Sequence, residues 1–325
     1  MNPKPLVTVI IPTYNRETKV FEAIESAIKQ TYTEVQIVVI DDGSNDNTAK
    51  ILKEKYPNIE YFYKTNGGQA SARNLGLSKA RGEIVASLDS DDIWYPNFLE
   101  VCVQKLQQDD LDFVFANWDQ DRKVGDSWDF LINDPYLKPY QNLLKNDWID
   151  LKHENLRALY IRACPSPSSS VVLRKSSIVS GWDENINIGD DWCLYLEMIL
   201  NRKAKAAYTL QRLWRKRIDE INIYDGRKWH EILEYLYIAD LNLKIKRFGA
   251  LLTKDELLIM QRRYMHSLVE LSKHYLFRER SFNNSMKLLS RSFSVNFPFT
   301  LKTIPVVYFQ AFEREFKRKF GKENK

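Results

Sequence analysis

Val35-Gln36-Ile37-Val38-Val39-Ile40-Asp41-Asp42-Gly43-Ser44 is a run of β-favouring residues that stops abruptly at two aspartates and a turn glycine. Six residues rich in Val and Ile suit a buried strand, and the polar cluster follows it with no spacer. The same grammar occurs upstream, where Leu6-Val7-Thr8-Val9-Ile10-Ile11 runs into Pro12-Thr13-Tyr14-Asn15-Arg16. It occurs again downstream, where the strand pattern Glu83 to Leu88 meets Asp89-Ser90-Asp91-Asp92. Helical patterns lie between these strands, over Glu17 to Gln30, Asp46 to Lys55 and Gly68 to Lys79. A third strand is expected over Ile59 to Tyr63, a helix over Asn97 to Gln107, and a fifth strand over Leu111 to Ala116. Repeated βα units predict a largely parallel sheet with helices on both faces.

Working outward, the chain of 325 residues holds two folding units at about 150 residues each. Its 44% hydrophobic and 28% charged residues exclude disorder, collagen and a coiled coil. A net charge of +5 is too slight to argue for nucleic-acid binding, and much of it sits in the tail: residues 301–325 carry seven Lys or Arg against three Glu. Cys102, Cys164 and Cys193 form no CxxC pair, so neither zinc nor a disulfide framework is indicated, and a reducing compartment is expected. The four histidines show no ligand spacing. Met1-Asn2-Pro3-Lys4-Pro5 leads straight into a strand, with no signal-peptide pattern, so the expectation is a cytoplasmic chain, with contact at the membrane's cytoplasmic face left open. Residues 117–224 are less regular, with a strand at Val171-Val172-Leu173 and a helix over Asp190 to Leu200. Beyond Asp225 long amphipathic helices are expected over Trp229 to Lys246, Lys254 to Tyr275 and Ser281 to Phe293, with Pro298 and Pro305 breaking up the final segment.

In open α/β sheets ligands bind outside the carboxyl ends of the strands. Three polar clusters at three strand ends therefore deliver their groups to one rim. Five carboxylates gathered there repel one another unless a cation neutralises them, and Asp oxygens are the hard ligands that Mg²⁺ or Mn²⁺ prefers. Such ions are commonly shared with substrate phosphates, which implies a phosphorylated ligand. Neither GxxxxGK[ST] nor a GxGxxG after the first strand is present, which argues against a P-loop or a dinucleotide site. For any one cluster alone, turn formation and helix capping are the better account, but for all three together at sheet ends they are a poor one.

The strings V-T-V-I-I-P-T-Y-N-R, I-V-V-I-D-D-G-S-N-D-N-T, N-G-G-Q-A-S-A-R-N-L-G and L-D-S-D-D-I-W-Y-P resemble the nucleotide-sugar half of a family 2 glycosyltransferase. P-S-P-S-S-S-V-V-L-R, G-W-D-E and G-D-D-W-C-L resemble its acceptor half, so the likeness spans residues 6–217. It implies a GT-A fold, an α/β mixed sheet flanked by helices, with a C-terminal helical appendage. It divides the chain into a nucleotide-sugar-binding half (1–116), an acceptor-binding half (117–224) and a helical region (225–325). Donor-binding positions carried over are Pro12, Thr13, Tyr14, Asn15, Asp42, Gly43, Arg73, Asp89, Ser90, Asp91 and Arg217. Among these, Pro12, Tyr14 and Asp42 would surround the nucleobase, and Arg73 would sit near the diphosphate. Asp89-Ser90-Asp91 stands as the DxD element, and Asp91 or its neighbour Asp92 would touch a divalent Mg²⁺ or Mn²⁺.

The family's base is the last acid of a Glu-Asp pair, here Asp190-Asp191, which makes Asp191 the expected general base. Read without the resemblance, Asp191 is equally a first-turn acid favoured by the helix dipole, and Arg73 a surface ion pair. Where relatives carry Y-R-x-H, this chain has Trp214-Arg215-Lys216-Arg217, so Arg217 replaces a histidine and could pair with phosphate. The implied activity is metal-dependent, inverting transfer of one sugar, most naturally from a UDP-sugar, to a glycan or lipid-linked acceptor in cell-surface polysaccharide synthesis. The alternatives are a sugar-nucleotide nucleotidyltransferase and a degenerate binding module at the membrane. Phe309, Phe312, Phe316 and Phe320 recur at helical spacing among basic residues, which suits either an anionic bilayer surface or packing on the preceding helices.

Overall fold

The computed structural model describes residues 4–120, 129–217, 224 and 226–320, with side chains described as far as residue 309. Strands β1 (Val7–Thr13), β2 (Val35–Asp41), β3 (Glu60–Tyr63) and β4 (Ile84–Ser87) alternate with helices α1 (Val20–Ile28), α2 (Thr48–Lys55) and α3 (Gln69–Lys79). They are followed by β5 (Ile93–Trp94), α4 (Phe98–Gln108), β6 (Phe113–Gln120), α5 (Phe130–Asn133), β7 (Trp148–Leu151) and α6 (His153–Tyr160). Then come β8 (Val171–Arg174), α7 (Asp190–Asn201) and β9 (Ala206–Lys216). Among the described residues the strands form one sheet in the order β3-β2-β1-β4-β8-β6-β9-β5, with β7 also paired to β9.

The first four strands are mutually parallel as expected, and every residue of β1 and β4 is buried. Beyond them the sheet is mixed: β8 lies antiparallel between β4 and β6, while β6 and β9 are parallel. The β6–β9 register slips on both sides of Asn117. A bulge frees backbone groups, and the buried Asn117 amide answers by donating to Leu210 O at 3.1 Å and to Asp129 Oδ1 at 2.8 Å.

Helix faces follow the apolar spacing. α1 buries Val20, Ala23, Ile24 and Ala27. It begins three residues later than the pattern suggests because Glu17 is used as a loop tie, its N–H on Asp46 Oδ2 and its Oε2 accepting from Asn47 N. α3 is made of small residues because it lies directly on β1: a Cβ on Gly76 would sit 2.4 Å from Ile10 Cγ2. In β1 and β2 the register sets Thr13 opposite Asp41, and Asp42 N donates to Thr13 O at 2.8 Å. Lys64 N reaches Asp41 O, and Leu88 N reaches Ile10 O, both at 2.9 Å. The ends of β1, β2, β3 and β4 therefore share one rim.

The chain separates into two compact units, residues 1–186 with 190–219, and residues 187–189 with 220–325. The second is helical: α8 (Trp229–Ile232), a π-helical stretch (Leu233–Asp240) and α9 (Leu241–Phe248) run on without a break, followed by α10 (Lys254–Phe277), α11 (Phe282–Val295) and α12 (Phe297–Phe320). A Thr253/Glu256 capping box opens α10.

The prolines do not break the last segment as expected, since α12 continues through Pro305. Leu301, whose carbonyl loses its donor to the proline ring, and Pro305 both lie on the exposed side. Within residues 297–309 α12 carries apolar residues on both sides, with Ile304, Val307 and Tyr308 packed on Val269 and Leu289. Thr300, Thr303 and Val307 face inward, with Thr300 Oγ1 2.8 Å from Ser292 Oγ and Tyr308 OH 2.9 Å from Ser272 Oγ. Phe297, Leu301, Val306 and Phe309 face outward, the last 72% exposed. No helix of the described residues is long and apolar enough to cross a membrane.

Candidate active site

At the β1–β2 end of the rim the two aspartates have different tasks. Buried Asp41 closes its own turn, accepting Ser44 N at 2.8 Å and Tyr61 OH at 2.8 Å. Burial and the Asp41 carboxylate push the Tyr61 phenol well up. Asp42 reaches across to the loop before α3, where its oxygens accept Gly67 N at 2.9 Å, Gly68 N at 2.7 Å and Lys64 Nζ at 2.6 Å. Gly43 has φ +86°, and a Cβ there would meet Asn66 N at 2.8 Å, so the turn requires glycine. Asn15 (φ 50°) spans to the same turn, its N–H on Ser44 Oγ and its Oδ1 accepting Asn45 N. Pro12 is buried within β1 and Tyr14 stands 46% exposed above it. Thr13 Oγ1 is buried with no hydrogen-bond partner among the described residues.

Arg73 joins the other clusters. Fully buried in α3, it donates from NH2 to Asp89 Oδ1 at 2.7 Å and from NH1 to Asp190 Oδ2 at 2.6 Å, with Asp191 Oδ1 at 3.4 Å. Burial works against its charge, but the carboxylates of Asp191, Asp190 and Asp89 outweigh that and hold the guanidinium above its ordinary range. Asp190 is also wholly enclosed. Burial pushes its pKa up to about 7 against the pull of Arg73, and Gln69 Nε2 donates to its Oδ1 at 2.8 Å. Arg73, expected at the diphosphate, is thus placed as an internal clamp, both of its NH groups on carboxylates.

Asp191, at the start of α7, is gripped from three directions. Ser168 Oγ donates to Oδ1 at 2.6 Å, Trp182 Nε1 to the same oxygen at 3.0 Å, and Ser168 N to Oδ2 at 3.2 Å. Oδ2 thus accepts one backbone N–H and retains acceptor capacity, since a carboxylate oxygen carries two lone pairs. The neighbouring Ser169 serves the other acidic string: its Oγ donates to Asp92 Oδ2 at 2.6 Å and accepts Asp89 N at 3.1 Å. Two adjacent serines therefore connect Asp191 with Asp89 and Asp92.

Asp91 and Asp92 sit in unfavourable surroundings for anions. Burial, then the Asp89 charge, raises the Asp91 pKa, opposed by Arg16 at 3.2 Å. Burial, then Asp91 and Asp89, pushes Asp92 far upward. Arg217 lies beside this group: its backbone N donates to Asp92 Oδ1 at 3.2 Å, and its guanidinium pairs with Glu22. Hard oxygens whose mutual repulsion a cation would relieve fit a divalent metal. Among the described residues no set of three or more Asp, Glu, His or Cys side chains forms a closed cage, so one or two carboxylates would share such an ion with oxygens of a bound ligand.

Sequence reasoning missed Ser168, Ser169, Gln69, Lys64 and the role of Trp182. The Pro165-Ser166-Pro167-Ser168-Ser169-Ser170 run was the available signal, a cluster of hydroxyls just ahead of a strand. Trp94, Trp182 and Trp192 are buried, their indole N–H groups donating to Ser169 O, Asp191 and Tyr160 O.

The family model described as glycosyl transferase family 2 matches residues 8–163. Residues 8–163 are thus similar to family 2 glycosyl transferases. The chain is 42% identical over 197 residues to the uncharacterized glycosyltransferase RP339 of Rickettsia prowazekii, covering 59% of this chain and 58% of that protein. This chain spans less than two thirds of the length of the curated relatives it matches. Two solved structures share the architecture. S. aureus TarS 1-349 in complex with UDP superposes with TM-score 0.54 at 20% identity, covering 87% of this chain and 90% of that one. The mannosyltransferase PcManGT of Pyrobaculum calidifontis, in complex with GDP-Man and Mn²⁺, gives 0.56 at 18% identity, covering 99% and 89%. The sheet unit therefore has the GT-A fold, a mixed sheet flanked by helices, and a helical region follows it.

Proposed function

We propose that the chain is a metal-dependent, inverting glycosyltransferase that moves one sugar from a UDP-sugar to a hydroxyl of a glycan or lipid-linked acceptor in cell-surface polysaccharide synthesis. The observation that carries this reading is the tethering of Asp191. A carboxylate oriented by Ser168 and Trp182 is joined through Arg73 to Asp89 of the second acidic string. A sugar hydroxyl is a weak nucleophile, and a fixed carboxylate can take its proton as it attacks the anomeric carbon. Attack opposite the leaving diphosphate, through an oxocarbenium-like state, inverts the anomeric centre in one step.

Asp91 with Asp92 would hold Mg²⁺ or Mn²⁺, which when bound supplies positive charge beside the departing diphosphate. Pro12, Tyr14 and the Asp42 loop would form the nucleobase end of the site, with Thr13, Asn15 and Gly43 shaping the turns beneath it. The donor class is supported by the two structural neighbours, which bind UDP and GDP-Man. The test is thermal unfolding with UDP, GDP, CDP and dTDP, each with and without Mn²⁺. Binding to the folded state alone raises Tm by mass action. UDP with Mn²⁺ should give the largest rise; no rise with any nucleotide contradicts the donor site.

We also assign a membrane contact to residues 301–325. The exposure of Phe297, Leu301, Val306 and Phe309 on α12 supports an apolar surrounding for its outer face. The seven basic residues of this segment favour an anionic surface. Liposomes containing anionic lipid should float the full chain and leave a chain lacking residues 301–325 behind. Equal flotation of both would remove this assignment.

A further inference from the structure

The loop before α3 holds a lysine that the proposed reaction leaves unused. Thr65, Asn66, Gly67 and Gly68 are exposed, and a lysine beside them has every opportunity to trail into water. Lys64 instead folds back, its side chain only 19% exposed. Its backbone N–H on Asp41 O, at 2.9 Å, anchors it at the end of β3. Its ammonium donates to Asp42 Oδ1 at 2.6 Å and to Thr65 O at 2.7 Å. Gly67 leaves room for that ammonium: a Cβ there would lie 2.7 Å from Lys64 Nζ and 3.0 Å from Ser71 Oγ. Gly68 has φ +86° but Gly67 does not share that region, so what glycine supplies at 67 is space.

An ionised carboxylate offers about four acceptor positions, two on each oxygen. Lys64 Nζ and Gly67 N take both on Asp42 Oδ1, whereas Oδ2 receives Gly68 N alone among the described residues. An ammonium has three protons to give, and two of them are placed. What remains is one acceptor position on Oδ2 and one N–H on the lysine that fills Oδ1.

Uracil suits that pair. Its N3–H can be donated to Oδ2, and a carbonyl stands on each side of that N–H, so either can accept from Lys64. Guanine carries its N1–H between a carbonyl and an amine. Its strongest mode on a carboxylate gives N1–H and the amine to the two oxygens together. Here Oδ1 is filled, and the amine would face an ammonium. A donor left facing a donor forfeits the hydrogen bond that it made in water.

We propose that Lys64 is a specificity-determining residue, selecting a uracil-bearing donor over a guanine-bearing one at the Asp42 carboxylate. The inference rests on the reading of the Asp42 loop as the nucleobase end of the site. Asp42 alone accepts from either base; Lys64 discriminates by occupying Oδ1 and by offering its remaining proton to a carbonyl.

The test is calorimetric titration of the full chain with UDP and with GDP, both in the presence of Mn²⁺. Wild type should bind UDP about tenfold or more tighter than GDP. Lys64→Met opens an acceptor position on Oδ1 and removes the donor to uracil. UDP should then weaken by about 5- to 20-fold while GDP stays within roughly threefold or tightens, so the selectivity ratio falls by about tenfold. Loss of loop structure, or of positive charge near the phosphates, would weaken both nucleotides alike, and that result overturns the proposal. So does an unchanged ratio, or a wild type that prefers GDP. Should Lys64→Met fail to fold, Gly67→Ala decides the matter. It keeps the lysine but crowds its ammonium away from Asp42, and should lower the ratio by about threefold; an unchanged ratio there is equally contrary. Wild type that binds neither UDP nor GDP refutes the donor site itself, and the inference falls with it; UDP binding with selectivity untouched by the variants refutes the inference alone.

Discussion

Asp191→Asn should reduce sugar transfer by about 10²- to 10⁴-fold while leaving UDP binding within roughly twofold of wild type. The substitution keeps the planar shape of the side chain and an oxygen for Ser168 Oγ and Trp182 Nε1. It removes the group that can accept a proton from the acceptor hydroxyl. Asp191 lies in α7, whereas the proposed nucleobase end of the rim is built from β1, β2 and the loop before α3, so the proposed base and nucleotide sites can be separated by mutation. Turnover with labelled UDP-sugar, measured beside calorimetric titration with UDP, checks both halves. Full turnover in the variant would take the role of base away from Asp191; lost UDP binding would show that its tether also shapes the donor pocket.

Replacing Arg73 with methionine should be the most destabilising single change in the sheet unit, at about 3–5 kcal/mol. The guanidinium is the shared partner of Asp190, which is fully buried, and of Asp89 and Asp191. Removing it leaves acids enclosed without their counter-charge. Asp190 then takes up a proton more readily still, its pKa having been raised to about 7 by burial even with Arg73 present. The sign follows from linkage: an acid whose folded pKa lies above its unfolded value adds stability at low pH and loses it as pH rises through the folded value. The deficit of the variant should therefore be larger at pH 8 than at pH 6. Urea unfolding at both values measures it, with a fall in Tm of roughly 6–20 °C near neutrality. Lysine should not restore the wild-type value, because one ammonium cannot span Asp89 and Asp190 as the planar fork does. A loss below about 1 kcal/mol would mean that the buried acids find other partners.

These expectations rest on residues of unequal legibility. The first four strands are plain in the sequence because β-branched runs and polar stops coincide, and the aspartate clusters can be placed on one rim from their position alone. β9 is not plain: its eleven residues follow no steady alternation, since the register slip beside Asn117 changes which side chains face inward. β5 is two residues long and depends wholly on pairing with Arg215 and Trp214. The second halves of the site escape for the same reason, tertiary distance. Gln69 meets Asp190 across 121 positions and Ser169 meets Asp92 across 77, and nothing local marks either partner. Arg73 reads as a surface ion pair without the resemblance, whereas it is buried among Asp89, Asp190 and Asp191. Pro305 misleads because a proline signals a break, yet a solvent-facing carbonyl tolerates the missing donor.

The central claim is single-displacement transfer from a nucleotide sugar. Its most direct test is proton NMR of an α-linked UDP-sugar incubated with the chain and Mn²⁺, followed from the first minutes of release, before mutarotation mixes the anomers. Attack from the face opposite UDP predicts that the β-anomer of the freed sugar appears first. The α-anomer appearing first, or no release of sugar from any UDP-sugar tried, would contradict the account.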